Sequence, residues 1–351
     1  MFENPIVIEG ASASLVKKVE TDVIVPGDSH DDCWVHPEMI AVPGDPIVCE
    51  LRARRTDRYG RDQHEESYYF RTTDDFRTLQ PIDHAPADGW KRIALRPDDI
   101  ERHAAVAALP PDAKWSWYMN YIHLAADTVV QPIYCDIKDN CRSIRTVVAR
   151  IEGERVVPLH VSNALTNNYA RGFLEPHLAR HGGNFFMTVR AEDGRGYVMK
   201  SEDGGRSWND PAPWRWDDGE EIPMHTTMTK LISHSDGMAL VYTRIREDNQ
   251  EYFRSRTPLH LADVDTEHLV LKRDTERVIV PNRSEKTGKG ARSLGNFWVW
   301  PVNAEKSYVV VGEWMRDGDL KNGDIWLSKI HWKQCNQQMS SDGRELSGRD
   351  G

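Results

Sequence analysis

Glu175 and Arg190 stand 15 residues apart, one before and one after the apolar run Phe185-Phe186-Met187-Thr188-Val189. A carboxylate beside Pro176 at the start of a strand has few polar places to go, and beside arginines it stays ionised. Other groups able to do chemistry occupy comparable places: His36 and His225 where strands start, Tyr134 and Tyr242 where strands finish, with His177 and Asn296 nearby. Imidazole, carboxylate and phenol are the groups of general acid–base catalysis. Arg190, Arg244 and Arg256 add guanidiniums, which bind a carboxylate through two parallel hydrogen bonds. Singly, each has a plain reading as a hydrogen-bonded or solvated residue; together they need a scaffold that brings strand ends to one place.

The strand pattern supplies one. First strands begin near residues 36, 117, 171, 224 and 295, each followed by further short apolar strands. Repeats of this size with four strands each imply β-propeller blades. The spacing predicts an all-β propeller of five four-stranded blades, six being the alternative, with the lone strand 15–25 joining the last blade to close the ring and remove a sheet edge. Residues 1–332 read as one domain interrupted by an insertion near 84–116, in which Asp98–Ala108 suits a short helix. Residues 333–351 read as a disordered tail. In such a ring the start of each inner strand and the end of the next one meet in an axial funnel.

Ser201-Glu202-Asp203-Gly204-Gly205-Arg206-Ser207-Trp208 has the composition of a hairpin fastener. Asp203 can accept from backbone N–H groups downstream, the two glycines can take positive φ, and Trp208 can wedge between sheets. Thr73–Leu79 reads as a decayed copy without the glycines. The eight-residue motif, with Glu175 and Arg190 just upstream, resembles the Asp-box of the sialidase-like β-propellers. The resemblance implies that Glu175 is the carboxylate that polarises a nucleophile. It also implies that Arg190 and Arg256, the latter followed by Thr257-Pro258-Leu259, are the second and third members of a carboxylate-binding arginine triad. Two departures stand out: Val35-His36-Pro37 replaces the family's Arg-Ile-Pro, and Ser293-Leu294-Gly295-Asn296-Phe297 holds no tyrosine where the nucleophile belongs.

The remaining inventory suits two reactions at a sugar. In glycoside hydrolysis His36 or His225 is the general acid and Glu175 the base. In β-elimination beside a uronate, arginines neutralise the carboxylate, a histidine or Tyr134 removes the C5 proton and Tyr242 protonates the leaving oxygen. The reading is an exo-acting hydrolase for oligosaccharides containing an acidic sugar, with a uronate lyase, a non-catalytic glycan-binding propeller and a protein scaffold rimmed by Trp214, Trp216, Trp298 and Trp300 as rivals.

Composition narrows the partners. The 351-residue chain has a formal charge of −10, with arginines interspersed among acidic residues, which argues against a nucleic-acid surface. No basic start followed by an apolar run, and no membrane-length apolar stretch, points to the cytoplasm. Five cysteines without metal-finger spacing read as reduced thiols. His30-Asp31-Asp32-Cys33 with His36 is a mixed, irregular donor set, so neither a metal nor another cofactor is expected.

Overall fold

The computed structural model describes residues 5–27, 33–56, 66–82, 114–117, 121–138, 141–153, 155–283, 291–315 and 323–341. The proposed helix Asp98–Ala108, most of the insertion near 84–116, His30 to Asp32 and residues 342–351 lie outside them. In chain order the strands are β1 (Ile6–Glu9), β2 (Val16–Val25), β3 (Cys33–Val42), β4 (Val48–Thr56), β5 (Glu66–Thr72), β6 (Gln80–Ile82), β7 (Lys114–Trp117), β8 (Ile122–Ala125), β9 (Thr128–Lys138), β10 (Cys141–Glu152) and β11 (Arg155–Val161). They continue as β12 (Leu174–His181), β13 (Asn184–Arg190), β14 (Gly196–Ser201), β15 (Ala212–Pro213), β16 (Lys230–His234), β17 (Gly237–Tyr242), β18 (Leu259–Asp265), β19 (Val270–Leu271), β20 (Arg277–Val280), β21 (Arg292–Pro301), β22 (Lys306–Met315) and β23 (Ile325–Trp332). Among the described residues the only helical pieces are two single 3₁₀ turns, Phe253–Ser255 and Arg273–Thr275.

The strands form five antiparallel sheets, the blades of a five-bladed β-propeller. Their orders are β3-β4-β5-β6, then β7 and β8 both on β9 followed by β10-β11, then β12-β13-β14-β15, then β16-β17-β18-β19 with β20 on β18, and finally β21-β22-β23-β2-β1. The N-terminal strand β2 therefore completes the last blade, pairing from Val16↔Trp332 to Val25↔Ile325. Its burial alternates along Val19, Thr21, Val23 and Val25, as a strand with one face on the core requires. Second strands differ: Phe185–Arg190 and all of β17 are buried on both faces, which is why they read as unbroken apolar runs.

Two compact units share the chain: unit 1 is 1–90, 234–264 and 272–351, and unit 2 is 91–233 with 265–271. A core of unit 1 gathers Trp34, Met39, Leu51, Phe76, Tyr308, Val310 and Leu327. A core of unit 2 gathers Val130, Ile144, Val148, Phe173, Leu178, Phe185, Met187, Met199 and Trp208. Apolar burial of this kind, at about 25 cal/mol per Å², stabilises the packed sheets of each unit.

In unit 2 the turn after β14 works as its residues suggest. Asp203 Oδ1 accepts from Ser201 Oγ (2.8 Å), Arg206 N (3.0 Å) and Ser207 N (2.8 Å), while Oδ2 accepts from Ser207 Oγ (2.6 Å). Gly204 and Gly205 have φ of 74° and 81°. Trp208 is buried in the core, donates from Nε1 to Thr146 Oγ1 (2.8 Å), and has its backbone clamped by Asn163.

The turn after β5 in unit 1 keeps the same geometry despite its lost glycines. Asp74 accepts from Thr72 Oγ1 (2.8 Å), Thr78 N (2.9 Å) and Thr78 Oγ1 (2.7 Å), and Asp75 and Phe76 take φ of 61° and 63°.

Three inner strands share a device that spacing does not reveal. Pairing skips two residues between Val35 and Glu38, between Leu174 and His177, and between Leu294 and Phe297. His36-Pro37, Glu175-Pro176 and Gly295-Asn296 thus fall out of the ladder, and His36 and Glu175 adopt positive φ of 48° and 51°. Such bulges redirect a side chain at a cost of about 1–3 kcal/mol per strained residue.

The tail departs from expectation in its first nine residues. Lys333 N bonds Leu15 O (2.9 Å), Asn336 N bonds Ala304 O (2.7 Å), and Asn336 and Met339 are buried. Asn336 Oδ1 also accepts from Ser235 N (3.0 Å), so this segment has backbone partners that hold it on unit 1.

Candidate functional site

Unit 2 brings together Glu175, Arg190 and Tyr134. The chain before β12 first docks along β10: Arg142 N donates to Arg171 O (2.9 Å) and Phe173 N donates to Arg142 O (3.0 Å). The approach requires glycine between them, because a Cβ on Gly172 (φ 70°) would lie 2.2 Å from Arg142 O. The bulge then places the Glu175 amide on the hydroxyl of Tyr134, whose ring comes from β9 and is buried.

Arg190, at the end of β13, holds the carboxylate. Its Nη2 is 2.8 Å from Glu175 Oε1 and its Nη1 donates to Thr226 O (2.8 Å), with the two side chains only 9% and 17% exposed. Among the described residues, Glu175 Oε2 and Arg190 Nε are buried with no hydrogen-bond partner. A buried polar atom left unpaired costs about 1–3 kcal/mol, so Oε2 marks a point where a ligand atom would be stabilising.

Positive charge surrounds the phenol. The Arg142 guanidinium lies 5.5 Å from the centre of the Tyr134 ring, and Arg171 sits beside Glu175, its fork on Glu192 (Nε 2.9 Å). Burial, followed by the Glu175 charge, pushes the Tyr134 pKa up; the Glu175 amide, Arg190 and Arg142 pull the other way. Tyr134 is therefore protonated at neutral pH. The arrangement can supply a carboxylate oxygen as base or nucleophile, a phenol as hydrogen-bond donor, and guanidiniums for an anionic group.

Two other residues assigned to the site by sequence stand apart from these contacts. His177 is buried, and its Nδ1 accepts from Leu231 N (3.2 Å); burial, then Lys230, pushes its pKa down. The bulge explains it, since residues 175 and 177 would share a face only in an uninterrupted strand. His225 lies before β16 rather than on a strand, because that strand starts at Lys230; its side chain is exposed and its carbonyl accepts from Thr227 N (2.7 Å).

Unit 1 holds the remaining candidates. Tyr242 is fully buried and donates to Glu276 Oε1 (2.6 Å), while Arg244 binds the same carboxylate through Nε and Nη2 (2.8 Å each). Tyr242 also stacks on His260, 5.6 Å between ring centres, and its pKa is pushed up by burial and then by Glu276. Glu276 is a partner that sequence reasoning missed. Arg256 is buried after a turn in which Arg254 and Ser255 take φ of 53° and 47°, and its carbonyl accepts from Leu294 N (3.3 Å).

His36 and Asn296 are partly buried in their bulges. At the end of β22, Glu313 is buried and accepts from Arg283 (2.7 Å) and Arg292 (3.0 Å), two further cations not singled out from sequence. Trp214 and Trp216 are buried, which removes them from any exposed aromatic rim. Among the described residues no His, Cys, Asp and Glu side chains are grouped to hold a metal ion.

No protein-family model matches the chain, and no curated protein matches it in sequence. Solved structures do resemble it in fold. A protein of unknown function from Dyadobacter fermentans aligns with a TM-score of 0.58 at 12% identity, over 91% of this chain and 100% of that one. A Trypanosoma rangeli sialidase in complex with the inhibitor DANA aligns with a TM-score of 0.51 at 11% identity, over 93% of this chain; this chain spans 58% of that one. A β-xylosidase, RS223, aligns over 90% of this chain and 97% of its own, with a TM-score of 0.46 at 11% identity. What the chain shares with the first two of these structures is its fold.

Proposed function

We propose that this chain is a glycoside hydrolase acting on an oligosaccharide that carries an acidic sugar, with Glu175 as its basic carboxylate. One observation carries the reading: Glu175 has one oxygen fixed by Arg190 and the other buried without a partner, on a strained bulge beside the Tyr134 hydroxyl. A fixed, strained carboxylate with one unmet oxygen is the arrangement expected of a group that acts on a ligand.

The roles follow from the contacts. Glu175 Oε2 takes the proton of an attacking water, Tyr134 donates a hydrogen bond to the sugar, and the exposed His225, next to the Thr226 whose carbonyl holds Arg190, is assigned the proton that the departing oxygen takes up. Arg190, whose Nη1 and Nη2 serve Thr226 and Glu175, is a positioning residue; Arg171 is held by Glu192, and Arg142, beside the Tyr134 ring, supplies charge that favours a sugar carboxylate. The raised pKa of Tyr134 favours hydrolysis over elimination, because removal of a C5 proton by this residue needs the phenolate. The inhibitor-bound sialidase shares the fold only, and the acidic-sugar specificity rests on the local guanidiniums.

A panel of nitrophenyl uronides, a nitrophenyl sialoside and neutral xylosides and glucosides tests the reading. The expected result is release from an acidic member and loss of about 10³-fold in Glu175→Gln. Cleavage of neutral members alone overturns the substrate class, ultraviolet absorbance of an unsaturated uronate overturns hydrolysis, and saturable binding without turnover leaves a glycan-binding propeller.

A further inference from the structure

Within this one chain the fastening turn occurs twice, and the two copies end differently. Thr72, Asp74 and Thr78 match Ser201, Asp203 and Ser207 bond for bond, but Asp75 and Phe76 replace Gly204 and Gly205, and Leu79 replaces Trp208. The turn in unit 2 is closed: a Cβ on Gly205 would lie 2.6 Å from Val130 Cγ2, and Trp208 fills the core beside it. In unit 1 two side-chain-bearing residues occupy the left-handed region that glycine held, and for a bulky residue such as Phe76 that conformation is an outlier.

The strained turn sends Asp75 away from its own hairpin. Its carboxylate accepts from Tyr308 Oη and pairs with Lys306 Nζ (3.0 Å) and Lys329 Nζ (3.3 Å). Beside it opens a cavity of 630 Å³, lined by the β3–β4 hairpin, this turn, the β21–β22 hairpin and Ser341, all of unit 1. That volume falls in the range of small-ligand pockets, about 300–1,000 Å³.

The geometry points to a second binding site in this cavity, for a neutral polyhydroxylated molecule of mono- or disaccharide size. Charge selects the class. Arg77 and Lys306 on the wall face Asp45, Asp74 and Asp75, and Lys329 behind Asp75 makes the count even, so neither an anion nor a cation gains a net attraction. Sugar hydroxyls both donate and accept, and so suit a wall that mixes carboxylates, ammonium and guanidinium groups with Thr73 and Asn303. Ile47, Cys49 and Val302 supply apolar surface for the sugar's C–H faces. The Cys49 thiol, pushed up to about 12 by burial, offers no nucleophile. The cavity shares no residue with the Glu175 site and does not depend on its function.

Titration of the full chain with xylose, glucose, galactose, N-acetylglucosamine and their disaccharides, followed by saturation-transfer NMR, tests the assignment. Two variants separate it from non-specific contact: Thr73→Trp, at an exposed position, fills the cavity, and Lys306→Met removes one donor while Asp75 keeps Lys329 and Tyr308. Saturable binding of at least one sugar is expected, lost in Thr73→Trp, weakened at least about tenfold in Lys306→Met, and unchanged in Glu175→Gln. Melting temperatures of the variants identify any that fail to fold, and Lys306→Met then decides alone. Failure of every sugar to bind, binding that survives both cavity variants, or displacement by inorganic phosphate overturns it.

Discussion

The Glu175–Arg190 pair has a consequence for stability that needs no substrate to measure. Glu175→Gln keeps the shape of the side chain and its strained backbone but removes the charge, leaving Arg190, 9% exposed, with the Thr226 carbonyl as its remaining named partner. Unit charges at about 4 Å attract by about 4 kcal/mol at an effective dielectric of about 20, part of which desolvation cancels. Removing one partner of a buried pair costs about 3–5 kcal/mol, because the other charge stays buried. Glu175→Gln and Arg190→Met should therefore each cost about 3 kcal/mol. The double variant, which buries no lone charge, should cost about 3–4 kcal/mol rather than the sum of about 6. Urea unfolding at neutral pH for the four proteins yields a coupling of about 2–3 kcal/mol. Strictly additive single variants, with a coupling under about 0.5 kcal/mol, would refute the pair as a buried, mutually dependent unit and with it the fixed orientation of Glu175.

Three other outcomes follow from the same contacts. Asp203 is held down to about 2 from 3.8; burial opposes the shift, and the hydrogen bonds from Ser207, Ser201 and Arg206 prevail. Its folded value lies below its unfolded one, so it adds stability above about pH 4 that disappears as pH falls through 2; Asp203→Asn should flatten the acid end of a stability-versus-pH curve measured by urea unfolding. Trp208→Leu, which copies Leu79 into the closed turn, removes the bond to Thr146 and should cost about 3 kcal/mol in the same assay. Under native conditions iodoacetamide should modify exposed Cys335 first and reach buried Cys49 and Cys135 only after denaturation, as mass spectrometry of the peptides will show.

Much of the architecture was legible because period-two burial and doubly buried second strands write themselves into the residues. The five blades and the N-terminal strand on the last one follow from that pattern. The turn at Asp74 was harder, since its glycines are gone, yet Thr72, Asp74 and Thr78 preserve the hydrogen-bond types that matter. At the site, Glu175, Arg190 and Tyr134 were readable as strand-end polar groups, and the structure makes them neighbours.

What escaped the sequence was local register and distant pairing. A two-residue bulge leaves no mark in apolar spacing, so Glu175 and His177 read as one face, whereas the Glu175 amide meets Tyr134 and the His177 ring is buried on the Leu231 amide. Glu276 and Glu192 claim Arg244 and Arg171 across turns of the chain, and nothing local announces which carboxylate a guanidinium will choose.

Turnover of the most rapidly cleaved acidic glycoside by Glu175→Gln and Tyr134→Phe, beside the unaltered protein, bears most directly on the proposed chemistry. The account predicts a loss of about 10³-fold in kcat for Glu175→Gln and about 10²-fold for Tyr134→Phe, with both variants folded. Turnover within a few-fold of the unaltered protein in Glu175→Gln, or no cleavage of any acidic glycoside by the unaltered chain, would contradict it.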